Sequence, residues 1–169
     1  MQVEIIPQPY SGAYKEVIYD IENAWNSSSW TWVKFTNDDG NETVGQFRGA
    51  PITVQSSEVK KEIIVLTSDH VFRLNTTDLT LIETQSDTLY ENVTVSPDGT
   101  FIFCDSFEVE KMNDSLSSMI VIEAPFKMHF IQFKKWKDHL LEFTCDNEEN
   151  NYQSETHVLD TLQWKILSK

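Results

Sequence analysis

Residues 92–104 read Asn-Val-Thr-Val-Ser-Pro-Asp-Gly-Thr-Phe-Ile-Phe-Cys, and the reading of this stretch decides the fold. Two short runs rich in β-branched and aromatic residues, Asn92–Ser96 and Thr100–Cys104, flank Pro97-Asp98-Gly99. Proline presets φ, aspartate bonds its own backbone and glycine supplies a positive φ, so the triplet makes a tight turn between two antiparallel strands. The hairpin continues toward the C-terminus, because Phe107–Met112 and Met119–Glu123 carry the same strand chemistry between polar turns.

The same four-strand sentence is written three times after Gly49. The first copy is Ile52–Gln55, Glu62–Thr67, Val71–Leu74 and Leu79–Glu83. The third is His129–Phe133, His139–Cys145, Thr156–Thr161 and Gln163–Leu167. Matched positions align the copies. The second strand of each ends in Ser68-Asp69, Cys104-Asp105 or Cys145-Asp146, and His-Val opens a third strand at His70-Val71 and at His157-Val158. The repeat units are residues 51–85, 90–123 and 128–167, preceded by a hairpin of Trp30–Phe35 with Thr43–Phe47.

Ser-Pro-Asp-Gly between apolar strands, in units of about 40 residues, resembles the blades of β-propeller families over roughly residues 51–167. The resemblance implies a small or partial propeller, since three units and a hairpin fall short of the usual blade number. A barrel or a sandwich carries the same alternation. One segment breaks the period of two. Tyr14, Val17, Ile18, Ile21, Ala24 and Trp25 fall at helical spacing behind Ser11 as a cap, which predicts an amphipathic helix over residues 12–25. The expected fold is therefore mainly β, an antiparallel meander of blade-like units with one N-terminal helix.

The 169 residues fit a single domain, 1–169, and 40% hydrophobic with 12% aromatic content argues for a folded core. No apolar run reaches the roughly 20 residues that cross a bilayer, and the first residues lack the basic and apolar pattern of a secretory signal. Two cysteines without metal-ligand spacing point to a reducing compartment, so a cytoplasmic location is expected. Five Asn-x-Ser/Thr sequons stand at Asn26, Asn41, Asn75, Asn92 and Asn113. Asn, Ser and Thr gather in turns for conformational reasons.

Charge is the strongest functional signal. A net charge of −14 excludes nonspecific binding to nucleic acid or to an anionic membrane, which needs clustered Lys and Arg, and it favours a basic partner. The acidity is concentrated in residues 1–126, with 20 acidic and 7 basic side chains.

Each candidate site has a plainer reading beside it. Asp38 and Asp39, in Asn37–Glu42, are dense enough in oxygen to suggest calcium, but the same residues beside Gly40 are what a hairpin turn demands. Cys104 and Cys145, each followed by aspartate, read as small buried hydrophobes and no disulfide is expected between them. His70 and His157, with Asp69 and Asp160, offer a general base and its orienting carboxylate, His129 and His139 lie near Asp138, and Asp69, Asp105 and Asp146 are candidate binding residues at the mouth of the β-scaffold. No nucleophile turn, glycine-rich phosphate loop or paired histidine accompanies them, so no catalytic residue, metal or cofactor is assigned. Trp25, Trp30 and Trp32, with Phe35, could anchor a protein or a sugar, or fill the core. Lys127, Lys134, Lys135 and Lys137 around Phe130, Phe133 and Trp136 read as a solvated strand on an acidic molecule rather than a nucleic-acid site.

The function expected from this balance is an acidic, non-enzymatic binder of a basic protein, of the antagonist or immunity type. The alternatives are a hydrolase or carbohydrate-binding module at the mouth of the β-scaffold, and a structural subunit of a larger assembly. Open sheet edges also admit a homodimer.

Overall fold

A computed structural model describes residues 1–23, 25–86, 89–147 and 153–168. Its strands, numbered in chain order, form four four-stranded sheets, and the chain divides into two compact units, Met1–Thr88 and Leu89–Lys169, with two sheets in each. No helix occurs among the described residues, and none is therefore long and apolar enough to cross a membrane.

In the first unit, β1 (Gln2–Ile6), β2 (Lys15–Tyr19), β3 (Trp30–Thr36) and β4 (Glu42–Arg48) lie in the order β1-β3-β4-β2. The strands β5 (Pro51–Ser57), β6 (Glu62–Thr67), β7 (His70–Asn75) and β8 (Leu81–Ser86) follow as an antiparallel meander. Here the expected N-terminal helix is corrected: its first half is β2, which pairs in parallel with β4 from Lys15↔Thr43 to Tyr19↔Phe47. The remainder up to Asn23 carries no regular structure, and Ala24 lies outside the described residues. The physical reason is tertiary. The outer edge of β4 needs a partner, and Val17 and Tyr19 alternate inward while Ile18 faces solvent, a period of two that a helix could not satisfy.

The two sheets of this unit share one core. Phe47 is its hub, stacked on Tyr19 at 4.5 Å and edge-on to Phe35 at 6.3 Å and to Phe72 of β7 at 5.0 Å. Ile63, Val65 and Leu74 complete it. Tyr19 also donates its hydroxyl to the Leu79 carbonyl, 2.6 Å away, tying β2 to the β7–β8 turn. Gly45 sits in β4 beside these rings because nothing larger fits: a Cβ there would lie 2.6 Å from Cε2 of Phe47 and 2.8 Å from Cε2 of Phe35. Gly49, with φ of 105°, turns the chain from β4 into β5 in a conformation that L side chains rarely adopt.

In the second unit, β9 (Asn92–Val95), β10 (Phe101–Cys104), β11 (Val109–Met112) and β12 (Met119–Val121) form one antiparallel meander. A second is made by β13 (Met128–Lys137), β14 (Leu140–Asn147), β15 (Gln153–Asp160) and β16 (Lys165–Ser168). Their common core joins Ile102, Cys104 and Val109 to Ile131, Leu141, Phe143, Cys145, Leu159 and Ile166. Trp136 of β13 reaches Thr94 of β9 with its indole N–H at 3.0 Å. The turn that the sequence singled out closes as expected, with Gly99 at φ 88° and the Ser96 hydroxyl bonded to the Thr100 carbonyl. Each of the four sheets is open, with two edge strands, so none closes on itself as a barrel.

Replacing Gly45 by alanine removes a flexible residue from a strand, which taken alone stabilises. Here the buried rings of Phe35 and Phe47 must shift, and overpacking dominates. Urea titration of Gly45→Ala is expected to show a loss of about 1–3 kcal/mol.

Candidate functional site

The site with the most developed geometry lies in the second unit, around the turn from β10 to β11. Asp105 closes this turn by accepting the backbone N–H groups of Phe107 and Glu108, both at 2.7 Å. With its flanks fixed, Phe107 cannot fold back into the core and stands 56% exposed, its ring edge-on to His129 at 5.2 Å. Ser106 donates its hydroxyl to Glu91, and the Tyr90 phenol donates to Glu110 at 2.5 Å. Asp105 and Glu108 thus flank Phe107 in the turn, Glu91 is tied to the turn through Ser106, and Glu110 is held by Tyr90 in the strand that follows.

The negative field of this cluster acts on its neighbours. Burial, the hydrogen bond to Glu110 and the charges of Glu110, Asp105 and Glu108 raise the Tyr90 phenol well above its ordinary range. Burial also pushes the Cys104 thiol up to about 12, reinforced by Glu91 and Asp105. A cleft of about 540 Å³ opens beside the turn, with Phe107, Glu108, Val121, Glu123, Phe126 and His129 on its walls. Two carboxylates, Glu108 and Glu123, stand against one ammonium, Lys127, on otherwise largely apolar walls, a lining that suits a side chain with an aliphatic stem and a cationic head.

Beneath Phe126 lies a second feature. His157 of β15 is only 2% exposed, held between the rings of Phe126 at 4.3 Å and Phe143 at 5.7 Å. Neither of its ring nitrogens has a hydrogen-bond partner among the described residues, and the nearest carboxylate oxygen, on Glu155, is 3.6 Å from Nε2. Burial holds its pKa below the usual 6.5, against the opposing pull of Glu155.

The residues singled out in the sequence fall into separate places. Asp69 and His70 do meet, in the first unit. Asp69 accepts the Ser27 N–H and the Ser68 hydroxyl, both at 2.7 Å, while His70 Nε2 lies 2.7 Å from Asn26 Oδ1. Burial opposes the Asp69 charge, but these donors and His70 outweigh it and keep the carboxyl below its ordinary range. The Asn26 amide nitrogen bonds the Ile21 carbonyl, so both ends of this sequon side chain are used in pinning the 21–29 loop. Trp25 stands on that loop 84% exposed. This network pins a loop, and its Ser68 hydroxyl is engaged on both sides, donating to Asp69 and accepting the Ala50 N–H at 2.8 Å.

Trp30 and Trp32 share a face of β3, but Thr31, Val33 and Phe35 are the buried set. The two tryptophans are half-buried on the opposite face, where the Arg48 guanidinium covers the Trp30 ring at 3.8 Å and pairs with Asp20. Asp38 and Asp39 stand exposed in the β3–β4 turn, closed by Asn37 Oδ1 accepting the Asn41 N–H and by Gly40 at φ 78°. Asp105 is part of the acidic turn, and Asp146 lies in β14 opposite His129. His139 approaches Asp160 at 3.8 Å, yet Asp160 already accepts the Leu162 N–H in a turn. Among the described residues no group of three His, Cys, Asp or Glu side chains is placed to hold a metal ion.

The sequence reading missed Phe107, Glu108, Glu123 and Phe126. The available signal was Asp-Ser-Phe-Glu at 105–108, in which aspartate caps a turn and lifts the aromatic residue out of the strand to which it had been assigned.

Two outcomes follow from burial. Cys104 and Cys145 are both free and buried, the second with its thiol pushed up to about 11 mainly by desolvation. A thiol reagent at pH 7 is expected to label neither in the folded protein and both in denaturant. For His157, the unfolded chain takes up its proton near the ordinary value of 6.5 and the folded chain only below it. The unfolded state therefore binds more protons in that window. The stability contributed by the neutral ring is full above about 6.5 and is lost as pH falls through the lower folded value. Urea midpoints measured between pH 7.5 and 5 are expected to fall more steeply for the native chain than for His157→Phe.

No protein-family model matches the chain and no curated protein matches it, so the geometry itself has to carry the functional argument.

Proposed function

We propose that this chain is a non-enzymatic binding module that takes a basic protein segment at the Phe107 cleft of its second unit, in the manner of an antagonist or immunity-type protein. The observation that carries this reading is the exposed Phe107 ring on an acidic turn, with Asp105 and Glu108 beside it in the chain and Glu108 and Glu123 on the walls of its cleft. An aromatic anchor gives contact area at small entropic cost, and carboxylates around it attract Lys and Arg.

The wider charge distribution supports the same partner. Each unit carries net −7, with 13 acidic against 6 basic residues in the first and 14 against 7 in the second. Much of the positive charge is spent internally: Lys34 pairs with Glu4 and Glu42, Arg48 with Asp20, and Arg73 with Glu62 and Glu83. The excess carboxylates set up a field that speeds the approach of a cationic protein and repels anionic competitors. The fourfold recurrence of a four-stranded sheet supports reading the sheets as blade-like units, a scaffold on which turns carry recognition. Buried, unpaired thiols support a reducing compartment.

The test uses the full chain against poly-lysine and a panel of basic proteins, by surface resonance at low and high salt. Association is expected to slow at least about 10-fold as ionic strength rises, and to slow by a similar factor in Glu108→Lys/Glu123→Lys at low salt. Binding that ignores both salt and these substitutions, or no binding at all, overturns the reading.

A further inference from the structure

Most edge strands of the sheets are guarded against pairing with another chain. The edge strand β13 carries Lys134, Lys135 and Lys137 and two register shifts, one of them at Phe130 with φ of 52°. Its Trp136 reaches over to Thr94 on the edge strand β9. The edge strand β5 opens on Pro51 and is bulged, β8 has a register shift against β7, and β2 begins Lys15-Glu16. These are the usual devices that blunt a sheet edge.

β12 lacks these charges, prolines and register shifts, and its one guard is its length of three residues. Met119, Ile120 and Val121 carry no charge and no proline, pair with β11 without a shift, and leave Ile120 44% and Val121 45% exposed. No strand among the described residues pairs with the outer side of β12. The direction of its backbone groups is fixed by its neighbours. Ile122 donates its N–H to the Val109 carbonyl and Ser118 accepts the Asn113 N–H, so the even-numbered residues bond inward. By the alternation of an antiparallel ladder, the N–H and C=O of Met119 and Val121 point outward.

The cross-strand neighbours of the two faces of this edge differ in charge, while Val121 and Glu123 border the clefts on both sides. Val121 stands opposite Glu110 and lines the Phe107 cleft with Glu108. Ile120 stands opposite Lys111 and lines a second cleft, of about 520 Å³, in which the Lys111 ammonium lies 4.1 Å over the Trp164 ring and Lys165 is close by. An added strand would send alternate side chains into these two clefts.

We infer that the basic partner binds by adding an extended segment to the outer edge of β12, with its basic side chains on the Val121 face toward Glu108 and Glu110 and apolar or acidic ones on the Ile120 face toward Lys111 and Trp164. The inference rests on the proposed function above and specifies its mode: backbone bonds to Met119 and Val121 supply affinity, and the clefts read alternate side chains. Charge complementarity selects this occupant over a second copy of the chain, whose own net charge is −14.

The test uses an eight-residue peptide alternating arginine and valine, and two versions of it N-methylated on the arginines or on the valines. One methylated set faces β12 and the other faces solvent, so their affinities for the full chain are expected to differ at least about 10-fold, the weaker having lost its strand bonds. Pro is tolerated at an edge strand, and because Val121 also lines the cleft, Val121→Ala, which loses the side chain and keeps the outward N–H, is the control for Val121→Pro. The proline variant is expected to weaken the parent peptide by a similar factor. In the complex, hydrogen exchange at the Val121 amide is expected to slow. Equal affinities of the two methylated peptides, in either direction, overturn strand pairing while leaving the acidic module intact. Binding of neither these peptides nor poly-lysine at low salt overturns the module itself. A dimer that dissociates on Val121→Pro, with no peptide binding, gives the edge to a second copy and overturns the inference.

Discussion

The constraint from which the rest of this structure follows is that a four-stranded sheet of short strands cannot bury enough apolar surface by itself. The chain meets it by giving two sheets one core, twice over. In the first unit that core is organised by Phe47, whose ring touches three other aromatic rings from strands of both sheets. In the second unit the aliphatic face of β10 and β11 meets that of β14, β15 and β16, with the two cysteines as small members of the same cluster. The inner strands β6 and β10 are buried on both faces, from Ile63 to Leu66 and from Phe101 to Cys104, so the polar residues are sent to the outer strands and to the turns. The carboxylates of an acidic sequence therefore collect where the chain reverses.

That division explains why the β10–β11 turn becomes the point of interest. Asp105 serves the backbone, accepting two N–H groups, and so orders the turn without neutralising its own charge. The cost of holding Glu91, Glu108 and Glu110 in the same neighbourhood is offset by hydroxyl donors, Ser106 to Glu91 and Tyr90 to Glu110. Hydroxyls stabilise a carboxylate and leave its charge in place, whereas a lysine would cancel it. In the first unit the opposite solution appears: Arg73 lies between Glu62 and Glu83, and the cluster is closed electrostatically. The two units carry the same net charge, but in the acidic turn of the second the hydrogen bonds to Glu91, Asp105 and Glu110 come from neutral donors, and an exposed ring stands in the same turn.

Local chemistry was legible in the sequence and long-range chemistry was not. Glu62–Thr67, an apolar run between Lys60-Lys61 and Ser68-Asp69, was read with the bounds that β6 has. The Ser-Pro-Asp-Gly hairpin and the pair β3–β4 were read within a residue or so of their ends, because their signals are contained within a dozen residues. Leu79 was assigned to a strand for its apolar side chain, yet its φ of 60° puts it in a turn where its carbonyl receives Tyr19. The segment around Val17 satisfies a helical period and an alternating one at the same time. The deciding partner is β4, about 28 residues away, and no local pattern carries that pairing. The cleft was invisible for the same reason, since Phe107, Val121 and Phe126 come together only when the β10–β11 turn meets the chain between β12 and β13.

The same reasoning bears on why His157 is tolerated. A buried imidazole with both nitrogens out of hydrogen-bond reach costs free energy that a phenylalanine of similar volume would avoid. What the ring offers in return is contact: it fills the space between Phe126 and Phe143 and supports Phe126 from below. Phe126 is in turn a wall of the cleft whose rim bears Phe107 and Glu108. Among the described residues Glu155 is the carboxylate close to this ring, 3.6 Å from Nε2, and burial outweighs its pull, so the packing between Phe126 and Phe143 favours the neutral imidazole.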